Sequence, residues 1–122
     1  MQNVINWFEI PAADFDRAVK FYDTVLDIQL RKELFNKVPN AIFPTEGADP
    51  AGGAVVFSPD YIPSTQGSLV YLNADGKMDD ILKRIPAAGG KVLLPKTSIG
   101  DPGYIAILLD TEGNKIGLHQ PQ

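Results

Sequence analysis

Apolar residues recur with the 3.6-residue period of a helix in two segments of the chain. The first set occupies positions i, i+3, i+4, i+7 and i+11 and consists of Phe15, Ala18, Val19, Tyr22 and Leu26. This stripe predicts an amphipathic helix over 15–26, and Asp14 just before it is a favourable N-cap residue. The second set consists of Met78, Ile81, Leu82 and Ile85. Pro86 and the Gly89-Gly90 pair end that second helix.

Short runs with β-favouring residues and turn residues between them predict eight strands. They are residues 3–10, 28–35, 40–44, 53–58, 68–74, 91–96, 103–109 and 115–119. The order β-α-β-β-β therefore occurs twice. The segment 59–67, PDYIPSTQG, has no periodicity and separates the two halves. We expect a single domain over 1–122, built from modules 1–59 and 67–122 with a linker at 60–66.

Antiparallel ribbons after each helix indicate an α+β fold rather than a doubly wound parallel sheet. One helix cannot cover both faces of the strands in its own module. Two such modules can share a curved mixed sheet that leaves a concave face open, and faces of this kind often hold ligands.

Composition and charge narrow the range of partners. Lys and Arg total 11 against 15 Asp and Glu, which gives a net charge of −4, and no basic run is present. Neither nucleic acid nor an anionic membrane surface is an expected partner, because both require clustered cations. No apolar stretch approaches a spanning helix of about 20 residues, and the N-terminus lacks the pattern of a signal peptide. The chain has no Cys, which excludes disulfides and thiolate chemistry and fits a cytoplasmic protein.

The segment DFDRAVKFYDTVLDIQL resembles the first helix and second strand of the glyoxalase/bleomycin-resistance, or vicinal oxygen chelate, superfamily. The matching positions are Asp14, Phe15, Arg17, Ala18, Phe21 and Tyr22. Near the C-terminus, Asp110, Gly113-Asn114 and Ile116 resemble the family's Asp-Pro-Asp-Gly-Asn turn, with Thr111 and Glu112 as departures. Other segments are similar to a bacterial branch related to lactoylglutathione lyase. The resemblance implies paired β-α-β-β-β modules around a U-shaped cavity, and commonly a homodimer.

Metal enzymes of this family place His, Gln or Glu ligands at four strand positions. By the family's spacing, those positions fall here on Trp7, on Val56 or Phe57, on Leu69 and on Gly117. None of these side chains can ligate a divalent ion, which needs several O or N donors. We therefore expect no metal and no other cofactor, which puts the family's metal-dependent chemistry in doubt for this chain.

Strand side chains alternate between the two faces of a sheet, so residues that share parity with a cavity position also face the cavity. Trp7 then shares its face with Glu9, and Leu69 shares its face with Tyr71 and Asn73. Lys115, Gly117 and His119 form a third such set. The predicted ligand-binding residues are Trp7, Glu9, Leu69, Tyr71, Asn73 and His119.

Glu9 and His119 are the candidate catalytic residues, because each titrates and each is predicted to face the cavity. Both also have structural interpretations. Glu9 could pair with Lys115 or meet solvent at the sheet edge, and His119 could be exposed or simply packed near the C-terminus.

Three functions remain open at this point. The first is a metal-free protein that binds or sequesters a small organic ligand, as bleomycin-resistance proteins do. The second is a metal-independent lyase or isomerase that uses Glu9 and His119. The third is a dimeric interaction module without a small ligand. Fold alone does not decide among them.

Overall fold

The computed structural model describes residues 4–47 and 50–122, which form two helices and eight strands. The first module comprises β1 (Trp7–Pro11), α1 (Phe15–Leu26), β2 (Arg31–Phe35), β3 (Val38–Ile42) and β4 (Gly52–Val56). The second comprises β5 (Tyr71–Asn73), α2 (Met78–Arg84), β6 (Lys91–Ser98), β7 (Tyr104–Leu109) and β8 (Lys115–Gln120). The predicted order, β-α-β-β-β twice, is confirmed. Residues 57–70, which form no helix or strand, join the modules.

Helix α1 begins and ends where its local sequence dictates. The Asp14 carboxylate accepts a hydrogen bond from the Arg17 backbone N–H at 3.1 Å, as an N-cap residue does. Asp27 ends the helix in the left-handed conformation, with φ 53°. The centre of the apolar stripe, Ala18, Val19 and Tyr22, is buried and its ends, Phe15 and Leu26, are partly buried, while Phe21 and Val25 are buried beside it.

The eight strands form two four-stranded mixed sheets, in the orders β1-β4-β3-β2 and β5-β8-β7-β6. In each sheet the first strand pairs in parallel with the last strand of its module, and the other pairs are antiparallel. The α+β class and the two modules are confirmed. The predicted sheet is divided in two, because among residues 4–47 and 50–122 no strand of one module pairs with a strand of the other.

Strand bounds differ from the predictions most at β1, β2, β3 and β5: β2 begins three residues later than predicted, and β3 lies two residues earlier at both ends. Residue 3, where the first strand was expected to begin, lies outside the described residues. At its other end β1 includes Pro11, which was expected to end it. Proline is tolerated there because β1 is an edge strand, and the Ala12 N–H continues the ladder to the Val56 carbonyl at 2.8 Å. Strand β5 is short and spans only Tyr71–Asn73.

Both helices pack against one shared hydrophobic core to which the two modules contribute. The Phe21 ring comes so close to Gly90 that a Cβ at that glycine would lie 2.7 Å from the ring. The Tyr22 ring packs edge-on against Phe21 and Phe43, with centroid distances of 5.0 and 5.6 Å. The opposite face of each sheet carries no helix.

A buried carboxylate, that of Asp110 in the β7–β8 turn, ties the second module to α1. One oxygen accepts the Tyr22 hydroxyl at 2.6 Å and the Asn114 side-chain N–H at 3.0 Å. The other oxygen accepts the backbone N–H groups of Glu112 and Asn114, each at 2.9 Å. Burial, followed by the negative charge of Asp110 and the hydrogen bond to it, raises the pKa of Tyr22 well above its usual value.

Glu112 in the same turn binds the N-terminal end of α1. Its fully buried side chain accepts the backbone N–H groups of Ala13 and Asp14 at 2.8 and 2.7 Å, and Arg17 Nε at 2.7 Å. Burial by itself would raise the pKa of Glu112. The hydrogen bonds from Arg17, from the two backbone N–H groups and from Thr111 outweigh burial, so the pKa is lowered.

We expect Tyr22→Phe to lower the free energy of unfolding by about 1.5–3 kcal/mol, because it removes a buried hydrogen bond to a charged group. Urea unfolding followed by circular dichroism measures this. Tyr61→Phe is the matched control, because Tyr61 is half exposed and its hydroxyl donates no hydrogen bond within the described residues. Equal stability of the two variants would contradict the role given to Asp110.

We expect acid to weaken the docking of Glu112. Its folded-state pKa lies below the unfolded value of about 4.5, so its contribution is present above that pH and is lost as pH falls through the folded pKa. Glu112→Gln should cost about 1 kcal/mol at pH 7, as loss of a helix cap does. The difference in free energy of unfolding between variant and wild type should shrink below pH 4.5.

Urea unfolding between pH 7 and pH 3.5 checks this expectation. Glu33→Gln is the control, since it breaks the exposed pair with Arg31, and exposed pairs contribute little. If the loss of unfolding free energy in Glu112→Gln stayed constant across this pH range, it would contradict a lowered pKa for Glu112.

Candidate functional site

The first sheet has an open face on the side away from α1. Strand register determines which side chains lie on it. Trp7 and Glu9 of β1 lie opposite Gly52 and Ala54 of β4, and Asn40 of β3 lies opposite Val56. Cross-strand partners share a face, so these side chains project to the same side as the β2 residue Phe35. Trp7 and Glu9, which were predicted to share a face, therefore both lie on the open face.

This face carries a cavity of about 490 Å³, with Val56 and Asn40 in its buried wall. Three half-exposed aromatic rings surround it: Trp7 is 45%, Phe35 50% and Tyr61 54% exposed. Trp7 comes from an edge strand, Phe35 from the end of β2, and Tyr61 from the segment between the modules. The Trp7 ring lies against Gly52, where the missing side chain leaves it space.

Polar groups in the cavity wall come from both sheet and loop. Glu9 and Asp60 supply two exposed carboxylates, and Ser58 and Asn36 supply a hydroxyl and an amide. Asn40 is 4% exposed, and its side-chain N–H donates to the Val38 carbonyl at 3.1 Å. The wall therefore offers aromatic surfaces and hydrogen-bonding groups in similar measure, and a small organic molecule can use both.

The open face of the second sheet carries the other predicted site residues. The Tyr71 ring lies over Gly117, where a Cβ would come within 2.5 Å of it. Asn73 accepts the Asp75 backbone N–H at 2.9 Å, and Leu69 precedes β5 and is partly buried. A ring nitrogen of His119 (Nε2) lies 2.7 Å from the Pro102 carbonyl oxygen, within hydrogen-bond distance.

Of the six predicted ligand-binding residues, Trp7 and Glu9 line the 490 Å³ cavity. Leu69, Tyr71, Asn73 and His119 do not line it. A ligand-binding role for all six stays a prediction. Glu9 is exposed, and within the described residues it forms no ion pair with Lys115, although both border a smaller hollow of about 120 Å³.

Sequence reasoning missed most of the lining residues, among them Phe35, Asn40, Asp60 and Tyr61. Phe35 and Asn40 carried a usable signal, because strand alternation through β2 and β3 places both on the open face. Asp60 and Tyr61 lie in a segment without periodicity, and only the folded chain brings them to β1.

A larger hollow of about 830 Å³ lies on the outside, between α1 and β2. Most of its charged groups have partners, and among them only Lys20 forms no ion pair or side-chain hydrogen bond within the described residues. Lys32 pairs with Asp16 at 3.5 Å, Arg31 pairs with Glu33, and the Asp23 carboxylate accepts the Leu30 backbone N–H at 2.8 Å. We therefore place the candidate site at the aromatic cavity.

The residues present do not fit the divalent ion that the resemblance implies. The positions named for ligands hold Trp7, Val56 or Phe57, Leu69 and Gly117, and the Tyr71 ring covers the last of these. In the part of the chain that the structure describes, no three His, Asp or Glu side chains come together to hold a metal. No described helix is long and apolar enough to cross a membrane.

Solved structures share this fold along nearly the whole chain. An antibiotic-binding protein, TnmS3 from Streptomyces sp. CB03234, is 24% identical with a TM-score of 0.67, over 100% of this chain and 99% of that one. A glyoxalase/bleomycin resistance protein from Albidiferax ferrireducens T118 is 22% identical with a TM-score of 0.69, over 97% and 99%. A glyoxalase I mutant from Zea mays is 19% identical with a TM-score of 0.67, over 93% of this chain and 45% of that one.

No curated protein matches the sequence significantly. At this level of identity the solved structures establish the fold alone. The family model of the Glyoxalase/Bleomycin resistance protein/Dioxygenase superfamily matches residues 4–118, which is nearly the entire sequence. The chain therefore belongs to the Glyoxalase/Bleomycin resistance protein/Dioxygenase superfamily.

Proposed function

We propose that this protein binds or sequesters a small organic molecule without a metal ion, in the manner of bleomycin-resistance proteins. The observation that carries the proposal is the cavity of about 490 Å³ with half-exposed aromatic rings around it. The likeness in fold to TnmS3, whose description is an antibiotic-binding protein, supports the same function. A protein without Cys suits the reducing cytoplasm, where we place this binding.

The volume of the cavity suits a drug-sized ligand, because cavities for such ligands span about 300–1,000 Å³. Its aromatic rings offer stacking surfaces, and the polar half of its lining offers hydrogen-bond partners. A planar ligand can stack on Trp7, Phe35 or Tyr61, and each ring pair contributes about 0.5–1.5 kcal/mol beyond the area it buries. Half-exposed rings already in place bind with little loss of side-chain freedom.

The remaining predicted residues belong to the open face of the second sheet and are part of the same proposal. We propose that Tyr71, Asn73, Leu69 and His119 contact the ligand from the second sheet, with the two faces brought together within one chain or between two copies. The enzymatic alternative has less support. Glu9 lines the cavity, whereas His119 lies against Pro102 and lines no cavity with Glu9.

We expect Phe35→Ala to weaken the binding of a planar aromatic probe by about three- to tenfold, because one stacking surface is lost. Acridone, which is neutral, is a suitable probe. Trp7 is the only Trp in the chain and lies in the cavity, so quenching of its fluorescence reports binding directly.

Leu34→Ala is the matched control. Leu34 precedes Phe35 on β2, is 70% exposed and does not line the cavity. Its variant should bind acridone as the wild type does. Equal loss in both variants, or no quenching of the wild type at any soluble concentration, would contradict binding in this cavity.

We also propose a homodimer. Both open faces carry exposed apolar side chains, including Ile5, Trp7 and Tyr71, and Ile62 is exposed beside the first sheet. One helix per module cannot cover these faces. A second copy would bury them and would protect the edge strands β1 and β5.

Native mass spectrometry of the freshly purified protein tests the assembly and the metal together. We expect a species at about twice 13.3 kDa, without a bound divalent ion after expression in metal-supplemented medium. A sharp monomer peak at micromolar concentration would contradict the dimer. One tightly bound transition-metal ion per chain would contradict the metal-free proposal.

A further inference from the structure

We infer that the aromatic cavity selects planar cations: its ligand is an aromatic molecule with a positive charge and an N–H donor. This inference rests on the proposed function and specifies its ligand class. Three independent features carry it, namely the carboxylates in the wall, the rings around them and an amide oxygen of the wall.

The first feature is a pair of carboxylates without counter-ions. Glu9 and Asp60 line the cavity, and no Lys or Arg among the described residues lines it with them. Elsewhere in the described chain three surface carboxylates form ion pairs, Asp16 with Lys32, Glu33 with Arg31 and Asp79 with Lys96, whereas exposed ones such as Asp75, Asp80 and Asp101 form none. Neither Glu9 nor Asp60 belongs to an ion pair there. Lys115 borders the adjoining hollow with Glu9 but lies beyond ion-pair distance.

The second feature is the aromatic wall. The negative faces of Trp7, Phe35 and Tyr61 attract a cation, with Trp the most effective, and each such contact contributes about 0.5–1 kcal/mol at an exposed site. Rings and carboxylates therefore favour the same charge on the ligand. An anionic ligand would meet unfavourable electrostatics from both.

The third feature is the Asn40 side chain in the buried wall. Its N–H group is used by the Val38 carbonyl, while its carbonyl oxygen accepts no hydrogen bond from a described residue. This oxygen is not sealed off from the cavity, because no fully buried side-chain oxygen of the described residues lacks a partner, so a ligand in the cavity can donate a hydrogen bond to it. Ring-bound amino groups on an aromatic cation supply both the charge and the donor.

Three planar tricyclic probes separate charge from shape: proflavine is a cation, acridone is neutral and anthracene-2-carboxylate is an anion. We expect quenching of Trp7 to give the order proflavine, acridone, anthracene-2-carboxylate, from tightest to weakest. Glu9→Gln and Asp60→Asn should each weaken proflavine about three- to tenfold at low salt, and leave acridone unchanged. Added salt should weaken proflavine alone, because exposed charges are screened within about 10 Å at 0.1 M.

Asp80→Asn is the control for net charge. Asp80 is exposed on α2 and does not line the cavity, so its variant should bind all three probes as the wild type does. Equal affinity for the three probes, or proflavine binding insensitive to Glu9→Gln, Asp60→Asn and salt, overturns the inference. Acridone binding that still depends on Phe35 leaves the proposed function intact in that case. If no probe binds, both fail.

Discussion

Two buried carboxylates in the β7–β8 turn hold the modules in their relative positions, and the remaining structure depends on that docking. In a capping box the third residue of a helix, usually Glu, binds the N-cap N–H. Here that residue is Arg17, and Glu112 from the second module takes the Asp14 and Ala13 N–H groups and binds Arg17 as well. Glu112 thus completes from the second module a cap that Asp14 begins locally, while Asp110 binds Tyr22 further along α1.

This docking packs both helices into one shared core, so that neither described helix covers the opposite face of its sheet. The core contains residues of both modules, and Phe21 packs directly on Gly90. Because each helix is used in this core, neither can cover the second face of its sheet. The open faces therefore expose aromatic side chains, and exposed apolar patches often mark a surface that binds a ligand or a partner.

The same fold supports metal chemistry elsewhere in its family, and the side chains of this chain change what the open face can do. Where the family places ligands, this chain has a ring at Trp7 and a glycine at Gly117, with the Tyr71 ring over that glycine. Aromatic rings packed over glycines form a flat apolar surface, whereas a metal site needs a cluster of oxygen or nitrogen ligands. Glu9 and Asp60 are the charged residues that line the cavity, and in the described chain no third donor joins them to hold a metal ion. Two such carboxylates are better suited to attract a positively charged ligand than to bind a metal ion.

Local periodicity alone determined α1, its Asp14 cap, the order of elements and the parity of Trp7 and Glu9, because each depends on neighbours a few residues away. Tertiary structure alone decided the rest. The linker residues Asp60 and Tyr61 reach the cavity only in the folded chain, because an aperiodic segment encodes no face. Glu112 finds Asp14 across 98 residues, and the strands separate into two sheets, because both depend on how two preformed modules dock rather than on the pattern within either.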